Sequence, residues 1–209
     1  MNYYFEPSAH ADTIHTDCVV VGVYKTGKLS MAAAQLDTAS QGALQAHLDL
    51  GDFSGEKNRT SMLYHLPGIT AKRVLLVGLG EKDKLTLEAL AGITQSTVNV
   101  LKNSKVGSVV SFLTDEMAPE SIEAAVRQSI TAVAESLYTF NTYKSKKDEI
   151  PPIRLESWTI GHTLAGDFQP AIKQGKAIAE GLYICRDLAN SPGNFCTPTY
   201  LADIAKELA

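Results

Sequence analysis

Apolar residues recur with two different periods along this chain, and the alternation between them predicts the fold. The run 18–24, CVVVGVY, is unbroken and rich in β-branched residues, the pattern of a strand buried on both faces. Leu36, Ala43, Leu44 and Leu48 follow at helical spacing and predict one helix. The runs 60–66, TSMLYHL, and 73–79, RVLLVGL, are separated only by Pro67, Gly68, Ile69, Thr70, Ala71 and Lys72. That gap is too short for a helical crossover, so an antiparallel hairpin is expected.

Leu87, Leu90, Ala91, Thr94, Val98 and Leu101 then mark an amphipathic helix with Thr86 as its N-cap. A buried strand is expected over 107–113, GSVVSFL. Pro119 reads as the first position of a helix whose apolar stripe is Ile122, Val126, Ile130, Val133 and Leu137. After the linker NTYKSKKDEIPP come a last strand over 153–160 and a helix from about Pro170 to Ala189. Asn190 to Gly193 break that helix. Thr197 and Pro198 open another, in which Leu201, Ala205 and Leu208 keep helical spacing up to Ala209 without a stop signal. The expectation is the front part of a longer protein. The whole pattern predicts an α/β fold, a mixed and mostly parallel sheet with helices on both faces. There is no internal repeat or low-complexity tract.

Composition narrows the functional classes. The 209 residues, 44% of them hydrophobic and 20% charged, suffice for one large domain or one domain plus a linker. A net charge of −4 and a pI near 5.7 give no overall attraction to nucleic acid or to an anionic membrane. No stretch approaches the roughly twenty apolar residues of a membrane span, and the N-terminus lacks the basic and apolar regions of a secretory signal. A cytoplasmic location is therefore expected. Cys18, Cys185 and Cys196 are odd in number and have no CxxC spacing, so they are read as reduced thiols.

Four stretches, taken in order, resemble the leucyl (cytosol) aminopeptidases of family M17. GDFSGEKN, Gly51 to Asn58, is similar to that family's loop after the first helix, and RVLLVGLGEKDKLTLEAL, Arg73 to Leu90, to its strand, turn and helix. YTFNTYKSKKDE, Tyr138 to Glu149, resembles its lysine-bearing linker. RDLANSPGNFCTPTYLA, Arg186 to Ala202, resembles the segment leading into its catalytic domain. The resemblance implies a macro-domain-like N-terminal domain over 1–165, including the basic linker 141–152, followed by a linking helix and the start of a catalytic domain over 166–209. It also implies a homo-hexameric parent that removes N-terminal residues, leucine preferred, from peptides with two divalent ions, typically zinc, manganese or magnesium.

The residues that would carry this chemistry are not found here. Two-metal hydrolysis needs several carboxylates converging on paired ions. The family's motif Asn-Thr-Asp-Ala-Glu-Gly-Arg and its Lys- and Asp-bearing glycine-rich segment do not occur between Met1 and Ala209. No catalytic, cofactor-binding or metal-ligating residue is assigned, and the chain alone is expected to be inactive. Other candidates read as structural. His10, Asp12, His15 and Asp17 have metal-ligand types but no supporting spacing. His47, His65 and His162 are scattered, and Ser61, Ser111 and Ser191 lack a GxSxG context.

Two alternatives stay open. The turn Val77-Gly78-Leu79-Gly80, followed by Lys82, Lys84 and Thr86, lacks the third glycine of a phosphate-binding fingerprint. It reads first as a tight strand-to-helix turn, and with Ser191 to Asn194 it keeps a stand-alone ADP-ribose or nucleotide-binding module in play. Lys144, Lys146 and Lys147 could contact DNA phosphates in a regulatory role. Asp148 and Glu149 follow at once, however, and beyond Tyr143 no aromatic is interleaved, so a solvated linker is the first reading.

Overall fold

All seven residues of β2 (Cys18–Tyr24) are buried, as are all but the first of β4 (Arg73–Gly80). Side chains alternate between the two faces of a strand, so burial along the whole length requires cover on both sides. The computed structural model, which describes residues 1–143, 152–163 and 165–208, shows that cover. Val20, Leu75 and Val77 join one core with residues of α3 (Leu87–Leu101), α4 (Ile122–Leu137) and α5 (Gln169–Asn190). Val19, Val21, Val74 and Leu76 join a second core with α1 (Met31–Ala39) and α2 (Ala43–Asp49).

The sheet is completed by β1 (Asn2–Glu6), β3 (Thr60–Tyr64), β5 (Ser108–Ser111) and β6 (Ser157–Gly161), in the order β1-β6-β5-β2-β4-β3. Every neighbouring pair is parallel except β3 and β4. Their hairpin sets Thr60 opposite Val77 and Tyr64 opposite Arg73, as the short connection requires. Thr86 caps α3, its hydroxyl accepting from Ala89 N at 3.1 Å. A sixth helix, α6 (Pro198–Leu208), starts where Thr197 and Pro198 place it, with Tyr200 N donating to the Thr197 hydroxyl at 3.3 Å.

Several boundaries depart from the pattern. The stretch from Leu36 to Leu48 forms two helices, not one, because Gln41 and Gly42 turn left-handed at φ 58° and 86°. Asp37 stabilises the break by accepting from Leu44 N and Gln45 N, both at 2.9 Å, across the start of α2. The strand expected over 107–113 ends at Ser111 and gives way to a 3-10 turn, Leu113–Glu116. Pro119 likewise opens a 3-10 turn, Pro119–Ser121, that runs into α4. The hairpin's first strand stops at Tyr64, and the last strand begins at Ser157. β1 has no periodic signal, since only Phe5 of NYYFE is buried; its register, Asn2 opposite Ser157, makes it the partner of β6. The basic linker residues Lys144, Lys146 and Lys147, with Asp148 and Glu149, lie outside the described residues.

Among the described residues no helix is long and apolar enough to cross a membrane. Leu75, with no exposure, lies in the central strand β4. Leu75→Ala is expected to cost about 2–5 kcal/mol, read as a lower urea midpoint at unchanged slope. A midpoint equal to that of the unaltered chain would contradict the two-sided burial of β4.

Candidate functional site

The parallel strands end together at one edge of the sheet. There β2 leads into α1 on one face and β5 into α4 on the other. The boundary between two such strands is where open α/β sheets hold their ligands. A cleft of about 700 Å³ lies at this place, with Tyr24, Lys28, Met31, Lys82, Asp115 and Glu116 in its walls.

The 3-10 turn Leu113–Glu116 sets the chemistry of this cleft. The Glu116 carboxylate accepts from Met31 N at 3.0 Å, the first residue of α1, and from the Tyr24 hydroxyl. Ser30 caps the same helix by accepting from Ala33 N at 3.2 Å. A helix N-terminus attracts an anion through its unpaired N–H groups and its dipole. Here the chain supplies that anion itself. Burial, and then the neighbouring Glu116, pushes the Tyr24 phenol well above its ordinary pKa, so the hydroxyl stays protonated and donates.

Asp115, the adjacent residue of the turn, faces β6. Its Oδ1 lies 3.1 Å from His162 Nε2, the two side chains being 2% and 3% exposed. Thr163 N donates to both carboxylate oxygens, at 3.1 and 3.2 Å. Burial raises the Asp115 carboxyl above the usual carboxylate range, while His162 and the Thr163 bonds work against that rise. The His162 ring also packs beside Phe5 and Phe168, at centroid distances of 6.4 and 5.7 Å. A buried pair of this kind is costly to break from either side, because the remaining group loses its partner in a dry site. Its effect is to hold the turn after β5 to the end of β6. Asp115 has no motif or periodic spacing that marks it beforehand; two adjacent acids, one residue past the mostly apolar run 109–113, are the signal available in sequence.

Gly78 and Gly80, expected in a tight strand-to-helix turn, instead lie in the last residues of strand β4, where they allow close backbone approach. Gly78 N donates to Arg59 O at 2.8 Å and Gly80 N to Gly55 O at 3.0 Å, so both amides face the 55–59 loop. A Cβ on Gly78 would lie 1.9 Å from Glu56 O. The glycines therefore admit another stretch of this chain. At the other segment of the nucleotide-binding alternative, Ser191 N donates to Asp187 O at 3.0 Å and the Ser191 hydroxyl to the same oxygen at 2.8 Å, closing α5.

The remaining candidates are dispersed. Asp17 accepts from Gly107 N at 3.0 Å and Ser108 N at 3.4 Å, tying the start of β2 to the turn before β5. His10 is exposed, and its carbonyl accepts from Thr13 N and Ile14 N. The carbonyl of Asp12 accepts from Thr70 N. His47 and Ser61 meet at 2.8 Å, linking α2 to the edge strand β3. No carboxylate orients that imidazole among the described residues, as an activated serine would require. His65 lies in the hairpin turn at φ 51°, and Ser111 is buried in β5. Among the described residues no three His, Cys, Asp or Glu side chains could together hold a metal ion. The adjacent acids of the cleft are both engaged by protein donors, so this donor set does not fit a two-ion hydrolytic centre.

Residues 20–147 match the model of the N-terminal domain of the cytosol aminopeptidase family. A protein of Actinobacillus pleuropneumoniae serotype 3 (strain JL03), described as "Probable cytosol aminopeptidase", is 39% identical over 200 residues, covering 93% of this chain and 40% of that protein. The "Cytosol aminopeptidase" of Haemophilus influenzae (strain Rd) is 37% identical over 195 residues, covering 93% of this chain and 39% of that protein. The chain thus spans about two fifths of the length of these relatives. A mutant tomato leucine aminopeptidase superposes with a TM-score of 0.81 at 25% identity, over 100% of this chain and 42% of that one. The bottromycin maturation enzyme BotP in complex with Mn shares the fold, with a TM-score of 0.68 at 21% identity over 93% of this chain and 36% of that one.

Gly78→Ala is expected to destabilise the chain by about 3 kcal/mol, because backbone and not a movable side chain opposes the new methyl. Denaturant melts that coincide for the two proteins would refute the close approach. For Asp17, the backbone bond from Gly107 foremost holds the carboxyl below its ordinary pKa. A depressed folded pKa gives a contribution complete above the unfolded value of about 3.9 and lost as pH falls through the folded value. Asp17→Asn should be less stable than the unaltered chain near neutrality, with the gap closing in acid. A gap independent of pH would remove the charge from this account.

Proposed function

This chain belongs to the cytosol aminopeptidase family, whose N-terminal domain it carries, and we propose that it is the non-catalytic N-terminal part of an enzyme that removes amino-terminal residues, leucine preferred, from peptides. The observation that carries the reading is the pairing of 39% identity over nearly the whole chain with coverage of only 40% of the relative's length. The same reading includes a cytoplasmic, homo-hexameric parent with two divalent ions, zinc, manganese or magnesium, bound outside residues 1–209. Such ions, when bound, activate water and polarise the scissile carbonyl. None of the residues of this chain is assigned to that step.

Within this reading, residues 1–165 form the α/β domain, with 141–152 as a linking segment, and 166–209 lead into the catalytic part. The exposure of α6, which buries no residue, supports a separate final part, while Ala171, Ile172, Gly175 and Ala179 seat the first half of α5 on the α/β domain. Ile178, Phe195, Tyr200, Leu201 and Leu208 are exposed apolar residues on these two helices and the turn between them. Such a surface suits cover by further protein. The second half of α5 is nevertheless tied to α4. Tyr183 donates to Ala134 O at 2.7 Å, and Tyr138 donates to Asp187 Oδ1 at 2.8 Å. The two tyrosine rings lie 5.4 Å apart, with the Arg186 guanidinium 5.3 Å from the Tyr138 ring.

A nucleotide-binding role is less favoured, because Glu116 occupies the helix N-terminus and the 55–59 loop occupies the glycine-bearing end of β4. Incubated with manganese and leucine p-nitroanilide, the chain is expected to release no nitroaniline above a no-enzyme control. In a chimera it replaces the corresponding region of the Haemophilus influenzae cytosol aminopeptidase and should support hydrolysis. Activity of the chain by itself, or a folded chimera that is inert, would overturn the proposal.

A further inference from the structure

The opposite end of the sheet, at the amino ends of β5 and β6, carries a second cleft, of about 470 Å³. Three cations face it, Lys102, Lys105 and Arg154, with Asn103 and Thr139 beside them, and no carboxylate lines it among the described residues. This is a local reversal of sign in a chain whose net charge is −4. Two helices end at this place, α3 at Leu101 and α4 at Leu137, and the last carbonyls of a helix are negative. Lys102 answers that charge, its Nζ donating to Ser136 O at 3.2 Å. Lys105 and Arg154 are exposed, and their side chains make no hydrogen bond or ion pair among the described residues. Two like charges held at one cleft with no acid among the described residues repel each other, and a dianion between them would relieve that repulsion.

We propose that this cleft binds a phosphate dianion, either free or as a monoester of a small molecule. The planar fork of Arg154 matches two phosphate oxygens, and Lys105 adds a point charge. The Thr139 hydroxyl supplies a neutral donor, as does the second amide hydrogen of Asn103, whose first goes to Asn99 O at 3.0 Å. A volume of this size falls within the roughly 300–1,000 Å³ of small-molecule sites. The site is independent of the peptidase reading, since it uses neither the crevice at the carboxyl ends of the strands nor the exposed face of α5 and α6.

The experiment is an amide NMR titration of the chain with inorganic phosphate and, separately, with phenyl phosphate, at ionic strength held constant by sodium chloride. Saturable shifts centred on Lys105 and Arg154 are expected. Tighter binding of phenyl phosphate would identify a monoester site, and equal or tighter binding of inorganic phosphate a site for the free ion. The double variant Lys105→Ala with Arg154→Ala should weaken binding about tenfold or more, as the loss of a charge-assisted bond implies. Lys82→Ala, at the other cleft, should leave it unchanged. Both altered residues of the double variant are exposed, so its far-UV spectrum and Tm should match those of the unaltered chain. Shifts that grow linearly without saturation, or that persist in the double variant, would overturn the site.

Discussion

A strand with every residue buried exists only where both of its faces are covered, and β2 imposes that condition on the rest of the chain. Its residues divide strictly between two cores, so each core needs its own helices. α1 and α2 answer one demand and α3, α4 and α5 the other. Because α1, which follows β2, and α4, which follows β5, then lie on opposite faces, the sheet acquires a crevice at the carboxyl ends of these two strands. The feature that would hold a ligand in other folds of this class is thus a by-product of covering one strand twice.

In this chain the crevice is used for internal connection. Two adjacent acids of a single 3-10 turn reach in different directions, Glu116 to the start of α1 and the end of β2, Asp115 to the end of β6. The turn thereby fastens three strands and one helix at the edge where α/β enzymes place their reactive groups. The glycine-bearing end of β4 follows the same logic, since its amides meet a neighbouring loop. Both features keep the layout of a ligand-binding fold while tying its acids and glycine amides to groups of the protein itself.

The elements that sequence made legible are those marked by an unbroken apolar run or a helical stripe. CVVVGVY and the hairpin strands are such runs, α3 and α4 carry a 3.6-fold stripe, and all appear where those signals put them. Local capping was equally readable at Thr86 and Thr197, where a hydroxyl and the following residues suffice. What was not legible depends on partners distant in the chain. The break at Gln41 and Gly42 relies on the Asp37 carboxylate reaching past the turn, and β1 is a strand only because β6 lies beside it. The candidate site divides in the same way. His162 stood out as a residue type, but its role comes from Asp115, and only the folded chain brings the two together.

The pairing of β1 with β6 also fixes an order of events during synthesis. Asn2 to Glu6 leave the ribosome well before their partners Ser157 to Gly161, which emerge only after four of the other strands have been made. Until then β1 has no sheet to join. Completion of that edge waits until the other strands of the sheet have been made, and the β1 segment stays open to other binders for that interval.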